Sequence, residues 1–457
     1  MKALLVVSFS ILIAIPDVFS QVSDAALRRV TSADLAAKAE NRGVLPTLAA
    51  SEHLSRAEIY MANRLFPEAR EHWTIVLNHY PDDAGIPKAL FGTARSFMWE
   101  REYLKAVEWF DRLLADHSMT KEGREGLAFK GASYVRAGRN LEAARTYEQY
   151  AVMFPQGERI ESAYLNIIDA YREAGEFERA DEWVGKAVRE FAGKATVANA
   201  LQAKVRMELY RGRWDEAAAA ADRLLEIRSF AGSMTSADEA KFLKGFALEK
   251  AGRKPEAQSI FSEIPNTPTS YFGGLASERL TSSSIRRIAQ ATPRLIAEYP
   301  TPFGSIVLKH AKKQRIDPRF LLAIMKQESS FRPAAKSPAG ARGLVQLVFD
   351  TAIKYKDEAG YRGLQPDDLY DPETNIAIGS LYIRKIKDEF GGLYEAVAAS
   401  YNAGEDNAAR WLNRTRAKEP GIFSAEVGFA ETKNYVFKVM NNYRMYRELY
   451  TEDLKRK

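Results

Sequence analysis

The chain has 457 residues, with 66 Lys and Arg against 60 Asp and Glu and a net charge of +6; the two signs are interspersed and no long basic block occurs. Nucleic acid is therefore not an expected partner. Cysteine is absent, which excludes disulfides, thiolate chemistry and lipid attachment through an N-terminal cysteine, and 46% hydrophobic residues let burial alone stabilise two or three domains.

Residues 1–20 read as a secretory signal peptide. Lys2 is a short positive start, Ala3 to Ile15 is an apolar run too short for a comfortable membrane span, and Val18-Phe19-Ser20 before Gln21 resembles a small-residue cleavage site. The mature protein is then expected to be exported and to keep no membrane span; the alternative is an uncleaved N-terminal anchor. The five histidines, His53, His72, His79, His117 and His310, form no HExxH-like pair, so neither a metal nor another cofactor is expected.

Residues 21–264 are expected to form a helical-repeat solenoid. A turn-then-helix phrase recurs, as in LFPEA, YLKA, NLEA, FERA, WDEA and KPEA, with its alanine at Ala69, Ala106, Ala143, Ala180, Ala217 and Ala257: four spacings of 37 residues, then one of 40. Gly138, Gly175, Gly212 and Gly252 break the preceding helices, as C-terminal caps do. Pairs of helices repeated at this length cannot cover their own apolar faces and must stack as an α-solenoid, resembling tetratricopeptide repeats. Such a stack offers a concave surface to a protein partner, or serves only as a spacer. From 265 to 296 the repeat is lost and Pro, Thr, Ser and Gly become common, as in NTPTSYFGG and LTSSSIRR, which reads as a linker; Ser270 to Leu280 keeps helical spacing.

Residues 297–457 are expected to be a catalytic domain. Asp317 and Pro318 open a helix, as a cap followed by a proline at the first position. Leu321, Ile324, Met325 and Glu328 then fall on one stripe, so Glu328 is expected on the inward face, its pKa raised from about 4.3 toward about 6, the range of a general acid. The alternative is that this last turn surfaces and Glu328 reaches water. Ser337 to Gly343, with Pro338 and two glycines three apart, has the composition of a turn that lets backbone approach a ligand closely. Asp371-Pro372 repeats the cap-then-proline signal for a helix ended by Gly391-Gly392. Asn375 and Gly379 read as scaffold, while Tyr401 and Asn402 precede a glycine break at Gly404.

Glu328-Ser329, Ser337 to Gln346, Asp371 to Ile376 with Gly379, and Ala399 to Gly404 together resemble the ordered motif series of soluble, lysozyme-like lytic transglycosylases, and Phe429 to Val436, with Glu431, Lys433 and Tyr435, resembles its last motif. The resemblance implies an all-α protein: a TPR-like solenoid followed by a lysozyme-like domain that cleaves the β-1,4 bond between N-acetylmuramic acid and N-acetylglucosamine in peptidoglycan and leaves 1,6-anhydro ends, in the periplasm. It implies Glu328 as the catalytic acid, Ser329 near the substrate's acetamido group, and Gln346, Tyr401, Asn402 and Tyr435 at the glycan. The alternatives are a hydrolytic muramidase on the same fold and a glycan-holding scaffold without catalysis. Departures stand at Val345 for methionine, Phe349 and Glu405 for proline, and Lys433 for arginine; lysine lacks the bidentate fork, so a looser carboxylate contact is expected there. Because the series begins after Tyr299, residues 297–457 are expected to cut soluble glycan alone.

Overall fold

A computed structural model describes residues 17–280, 293–337, 340–416 and 418–457. The apolar run of the expected signal peptide, most of the LTSSSIRR phrase and Pro338 lie outside them. The described chain is all-α. Its helices are α1 (Asp17–Glu40), α2 (Ala50–Ala62), α3 (Phe66–His79), α4 (Ile86–Trp99), α5 (Tyr103–His117), α6 (Lys121–Arg136), α7 (Asn140–Met153), α8 (Ile160–Ala174), α9 (Phe177–Glu190), α10 (Ala195–Arg211), α11 (Trp214–Leu225), α12 (Ala237–Lys250), α13 (Lys254–Ser262) and α14 (Tyr271–Arg279). There follow α15 (Pro293–Glu298), α16 (Gly304–Gln314), α17 (Pro318–Ser329), α18 (Phe349–Ala359), α19 (Pro372–Glu389), α20 (Tyr394–Ala403), α21 (Glu405–Asn413), α22 (Pro420–Glu426) and α23 (Ala430–Leu449). Two compact units divide the chain, residues 15–200 and residues 201–457.

In the first unit the repeat is a packing period. Ala69, Ala106, Ala143 and Ala180 each occupy the fourth position of the second helix of a pair and are fully buried. The paired helices approach closely nearby: Gly131 of α6, for example, lies where a Cβ would meet the Tyr147 ring of α7 at 2.7 Å. The turn before each second helix passes through a left-handed residue: Arg64, Arg101, Gly138 and Gly175, and then Gly212 and Gly252 in the second unit. These six keep the alanine period. The glycine signal exposed four of them and missed two arginines, which adopt the conformation despite its steric cost of about 1–2 kcal/mol.

The same unit fastens α1 with buried polar groups. Leu48 N–H donates to His53 Nε2 at 3.1 Å, which leaves the His53 Nδ1 proton to donate to His72 Nδ1 at 2.8 Å. His72 Nε2–H in turn donates to Asp34 of α1 at 3.0 Å, and Tyr60 donates to the same carboxylate at 2.6 Å. Every proton in this chain has one direction. Burial, and then the neighbouring His72, push His53 down to about 4, so the imidazoles work here as neutral structural links.

The second unit contains α11 to α14 as well as the later helices, so the last two repeat alanines, Ala217 and Ala257, belong to the unit that carries the motif series. At its centre is α17. Asp317 caps it by accepting from Arg319 N–H at 2.9 Å, and Phe320 to Met325 are all fully buried, Phe320 against the rings of Tyr394 and Tyr443. Burying side chains of the size of Phe320, Leu321 or Ile324 contributes about 1.5–3 kcal/mol each. Such a core can hold a carboxylate at the helix end against its tendency to hydrate.

Polar contacts in this unit are buried and long-range. Lys433 of α23 donates to Glu239 of α12 at 2.8 Å, with 2% and 1% of each residue exposed. Gln202 of α10 uses its two amide hydrogens on Glu239 at 2.6 Å and on the Ala425 carbonyl at 3.1 Å. Arg206, one turn on, pairs with Glu426 at 2.7 Å. Nearby, Tyr271 of α14 donates to Glu395 at 3.2 Å and lies 2.9 Å from Ser424.

Candidate active site

Glu328 stands three residues beyond the buried run of α17, which ends at Met325. The chain then turns through two left-handed residues in succession, Ser330 and Phe331, which stops the helix at the carboxylate. Glu328 is half-buried: part of its surface remains open, while the protein around the carboxyl raises its pKa to about 7 against the pull of the Tyr435 hydrogen bond. Tyr435 donates that bond at 2.5 Å from α23. The inward-face expectation for Glu328 thus matches its position, with a larger upward displacement than the sequence alone suggests.

Tyr401 donates to the Val345 carbonyl at 2.6 Å, which fixes the end of α20 to the loop ahead of α18. Burial, and then the charge of Glu328, push its hydroxyl well above the usual range, as burial and Glu328 also do for Tyr435. Both phenols stay protonated: Tyr435 gives its proton to the acid, whereas that of Tyr401 is committed to the Val345 carbonyl and only its oxygen is left to accept. Asn402 is oriented by Thr432, whose hydroxyl donates to its Oδ1 at 2.7 Å. This leaves the amide nitrogen of Asn402 as its donor.

Gln346 adopts a left-handed backbone and donates from Nε2 to the carbonyls of Ala335 and Gly343 at 3.0 and 2.8 Å. Its donor side is thus engaged in holding the loop. Asn375 does the same from beneath: its Oδ1 accepts from Val345 N–H at 2.9 Å, and its Nδ2 donates to Arg342 and Leu369 carbonyls at 3.0 and 2.9 Å. Gly379 is a close contact, since a Cβ there would meet Val345 Cγ2 at 2.4 Å. Val345 is fully buried against it. The departure from methionine is therefore a change of packing partner under the loop.

Ser329 is braced against the backbone. It is 1% exposed, and its hydroxyl lies within hydrogen-bond distance of the Met325 carbonyl at 3.1 Å and the Leu344 carbonyl at 2.7 Å. A single hydroxyl proton directed at backbone carbonyls joins α17 to the loop. Lys433 departs from expectation: its carboxylate contact is not loose but fully enclosed, with Glu239. Glu405 opens α21 and accepts from Tyr382 at 3.4 Å, and the Tyr382 ring packs 5.4 Å from that of Tyr401. Tyr382 and Thr432 were not singled out from sequence. Thr432 sits inside the last motif, whereas nothing in the local pattern distinguishes Tyr382 from other tyrosines on α19.

Residues 305–423 match the Transglycosylase SLT domain family, and residues 54–118 and 203–271 match the tetratricopeptide repeat family. The soluble lytic murein transglycosylases of Salmonella typhimurium and Escherichia coli K12 are each 33% identical over 153 residues, covering 33% of this chain and 23% of those proteins. The chain thus spans about a quarter of the length of these relatives. Membrane-bound lytic murein transglycosylase C of Sodalis glossinidius is 30% identical over 183 residues, 35% of this chain and 50% of that protein.

Among solved structures, an inactive mutant of the lytic transglycosylase Slt of Pseudomonas aeruginosa superposes with a TM-score of 0.52 at 17% identity, covering 85% of this chain and 80% of that one. The 70-kDa soluble lytic transglycosylase in complex with bulgecin A gives 0.53 at 16% identity, covering 96% and 92%. Both are likenesses of fold. The chain therefore carries a transglycosylase SLT domain preceded by tetratricopeptide-type helical repeats.

Proposed function

We propose that this protein is a peptidoglycan lytic transglycosylase whose single catalytic acid is Glu328. The observation that carries this reading is a half-buried carboxyl raised to about 7 and hydrogen-bonded by Tyr435 at 2.5 Å. Such a group keeps a large protonated fraction at neutral pH and can donate to a glycosidic oxygen. Most glycosidases use a second carboxylate as nucleophile or base, and substrate-assisted enzymes do without one. Glu431, the other acid of the last motif, is exposed on α23, and Glu405 is turned to Tyr382. The site reads as a one-acid site.

In this reading Glu328 protonates the bond between N-acetylmuramic acid and N-acetylglucosamine, and the substrate's own 2-acetamido oxygen meets the positive charge at the sugar carbon. Ionised Glu328 then takes the proton of the C6 hydroxyl as that oxygen closes onto the same carbon. The product is a 1,6-anhydro end, and no water is consumed. The intramolecular attack benefits from high effective molarity. Asn402 offers a donor and Tyr401 an accepting hydroxyl oxygen at the glycan, Gln346 shapes the loop beside it, and Ser329 acts by fixing the Leu344 backbone. Export to the periplasm is part of the same proposal, supported by the apolar run of residues 3–15. Among the described residues no helix is long and apolar enough to cross a membrane.

Digestion of purified sacculi in ¹⁸O-labelled water tests this. New ends should be unlabelled and resistant to borohydride; labelled, reducible N-acetylmuramic acid ends would make the enzyme a muramidase, and intact glycan would make it a scaffold.

A further inference from the structure

The start of α23 bonds to three different helices within four residues. Thr432 donates to Asn402 of α20 at 2.7 Å, Lys433 to Glu239 of α12 at 2.8 Å, and Tyr435 to Glu328 of α17 at 2.5 Å. No side chain caps this helix: its N-cap position is Phe429. The uncapped start therefore has little local reason to hold one register, and the bonds from its first turns must supply it. Of the three, the bond to Glu239 is the enclosed charge pair. Its carboxylate is held in turn by Gln202, and Arg206 with Glu426 forms a second pair beside it.

An unpaired charge at such depth is costly, so the pair resists separation strongly. Lys433 and Tyr435 are two residues apart on one helix, about 3 Å along its axis, and a shift of one moves the other.

We propose that Glu239, on a helix of the repeat-patterned region, is a positioning residue for the acid: through Lys433 it sets the register of α23, and through Tyr435 the geometry of Glu328. This rests on reading Glu328 as the catalytic acid. The groups facing Glu328 are Tyr435 from α23 and, at longer range, Tyr401 from α20. Glu239 is not among them, so it acts only through the helix. Hydrogen bonding by Tyr435 favours the ionised form of Glu328. Loosening that bond must raise the pH up to which the acid stays protonated.

The test uses the full chain with Glu239→Gln, Lys433→Met and Lys433→Arg. Glu239→Gln and Lys433→Met should lower kcat on glycan by about ten- to a hundredfold, as expected for a small misplacement of a catalytic group, with KM essentially unchanged. The alkaline limb of the rate profile should move to higher pH. Lys433→Arg, which keeps the charge, should retain both rate and limb. Infrared titration of the Glu328 carboxyl, taken as the difference from Glu328→Gln, should show the same upward movement without any substrate. If either single variant does not fold, the charge-free double variant Glu239→Gln/Lys433→Met, which buries no unpaired charge, carries the same prediction. Folded variants with a lower melting temperature but an unchanged limb and unchanged carboxyl titration would overturn the proposal. A carboxyl shift in a protein that cuts no glycan would instead overturn the proposed function and leave the positioning role standing.

Discussion

The two compact units differ in the sequence distance of their buried polar contacts. In residues 15–200 they join near neighbours: His53 to His72 across 19 positions and His72 to Asp34 across 38, about one repeat. In residues 201–457 the buried Gln202–Glu239 bond also spans one repeat, 37 positions, but Lys433 to Glu239 and Arg206 to Glu426 join positions 194 and 220 apart, and the part-buried bond from Tyr435 to Glu328 spans 107. The first unit is stabilised by what recurs, and the second by what occurs once. Losses in the first should be graded and local; losses in the second should propagate to the acid.

The largest expected effect is at the acid itself. Glu328→Gln should fold and bind glycan yet lose about 10²- to 10⁴-fold in turnover, the range that general acid catalysis contributes; steady-state rates on soluble glycan fragments measure it, and substantial residual activity rejects the assignment. Truncation comes next. A fragment of residues 297–457 separates Lys433 from Glu239 and Glu426 from Arg206, and breaking a buried pair costs about 3–5 kcal/mol. We therefore expect that fragment to unfold readily and to cut glycan poorly, against the expectation from the motif positions, whereas residues 201–457 keep both pairs. Urea titration of the two fragments decides it, and equal stability would remove the contrast between the units.

Glu395 gives a smaller effect, with a defined sign. Burial, against a hydrogen bond from Tyr271, raises its pKa from 4.5 to about 7. A carboxyl whose folded pKa exceeds its unfolded value stabilises fully below the unfolded value, and this is lost as pH rises through the folded one. The melting temperature should fall between about pH 4.5 and 7 for this reason, and Glu395→Gln should flatten that fall. An unchanged slope would show that Glu395 does not titrate there. Smallest are the repeat turns, where the sign should reverse between two equivalent positions. Gly175→Ala should cost about 1–2 kcal/mol, because alanine resists the left-handed conformation, and Arg101→Gly should be neutral or stabilising by up to about 1 kcal/mol. Thermal melts of the two variants, moving in the same direction, would argue against strain at Arg101.

The features legible in the sequence were those whose cause is local. Asp317-Pro318 and Asp371-Pro372 cap their helices as expected because a side chain and its own backbone suffice for a cap. The alanine period marked the helix pairs because each alanine is fully buried at the same place in its helix. Arg64 and Arg101 escaped notice because surrounding packing imposes their conformation; nothing in arginine favours it. The Ser329 brace was not legible because a hydroxyl reads equally well as a ligand contact or a brace. Its partner, Leu344, is fixed only by the tertiary fold. Lys433 was legible as a cation in a motif, but its anion lies in another helical region, where Glu239 looks like any first-turn acid.

The distance between Glu239 and Lys433 also sets a timetable. At ribosomal rates of 5–20 residues per second, the intervening 194 positions take roughly 10 to 40 seconds to synthesise. Throughout that interval Glu239 and Gln202 have no lysine to enclose and must remain hydrated, so the seam they later close stays open. Glu328 emerges in the same interval without Tyr435. A nascent chain therefore carries Glu328 without its Tyr435 partner until α23 arrives.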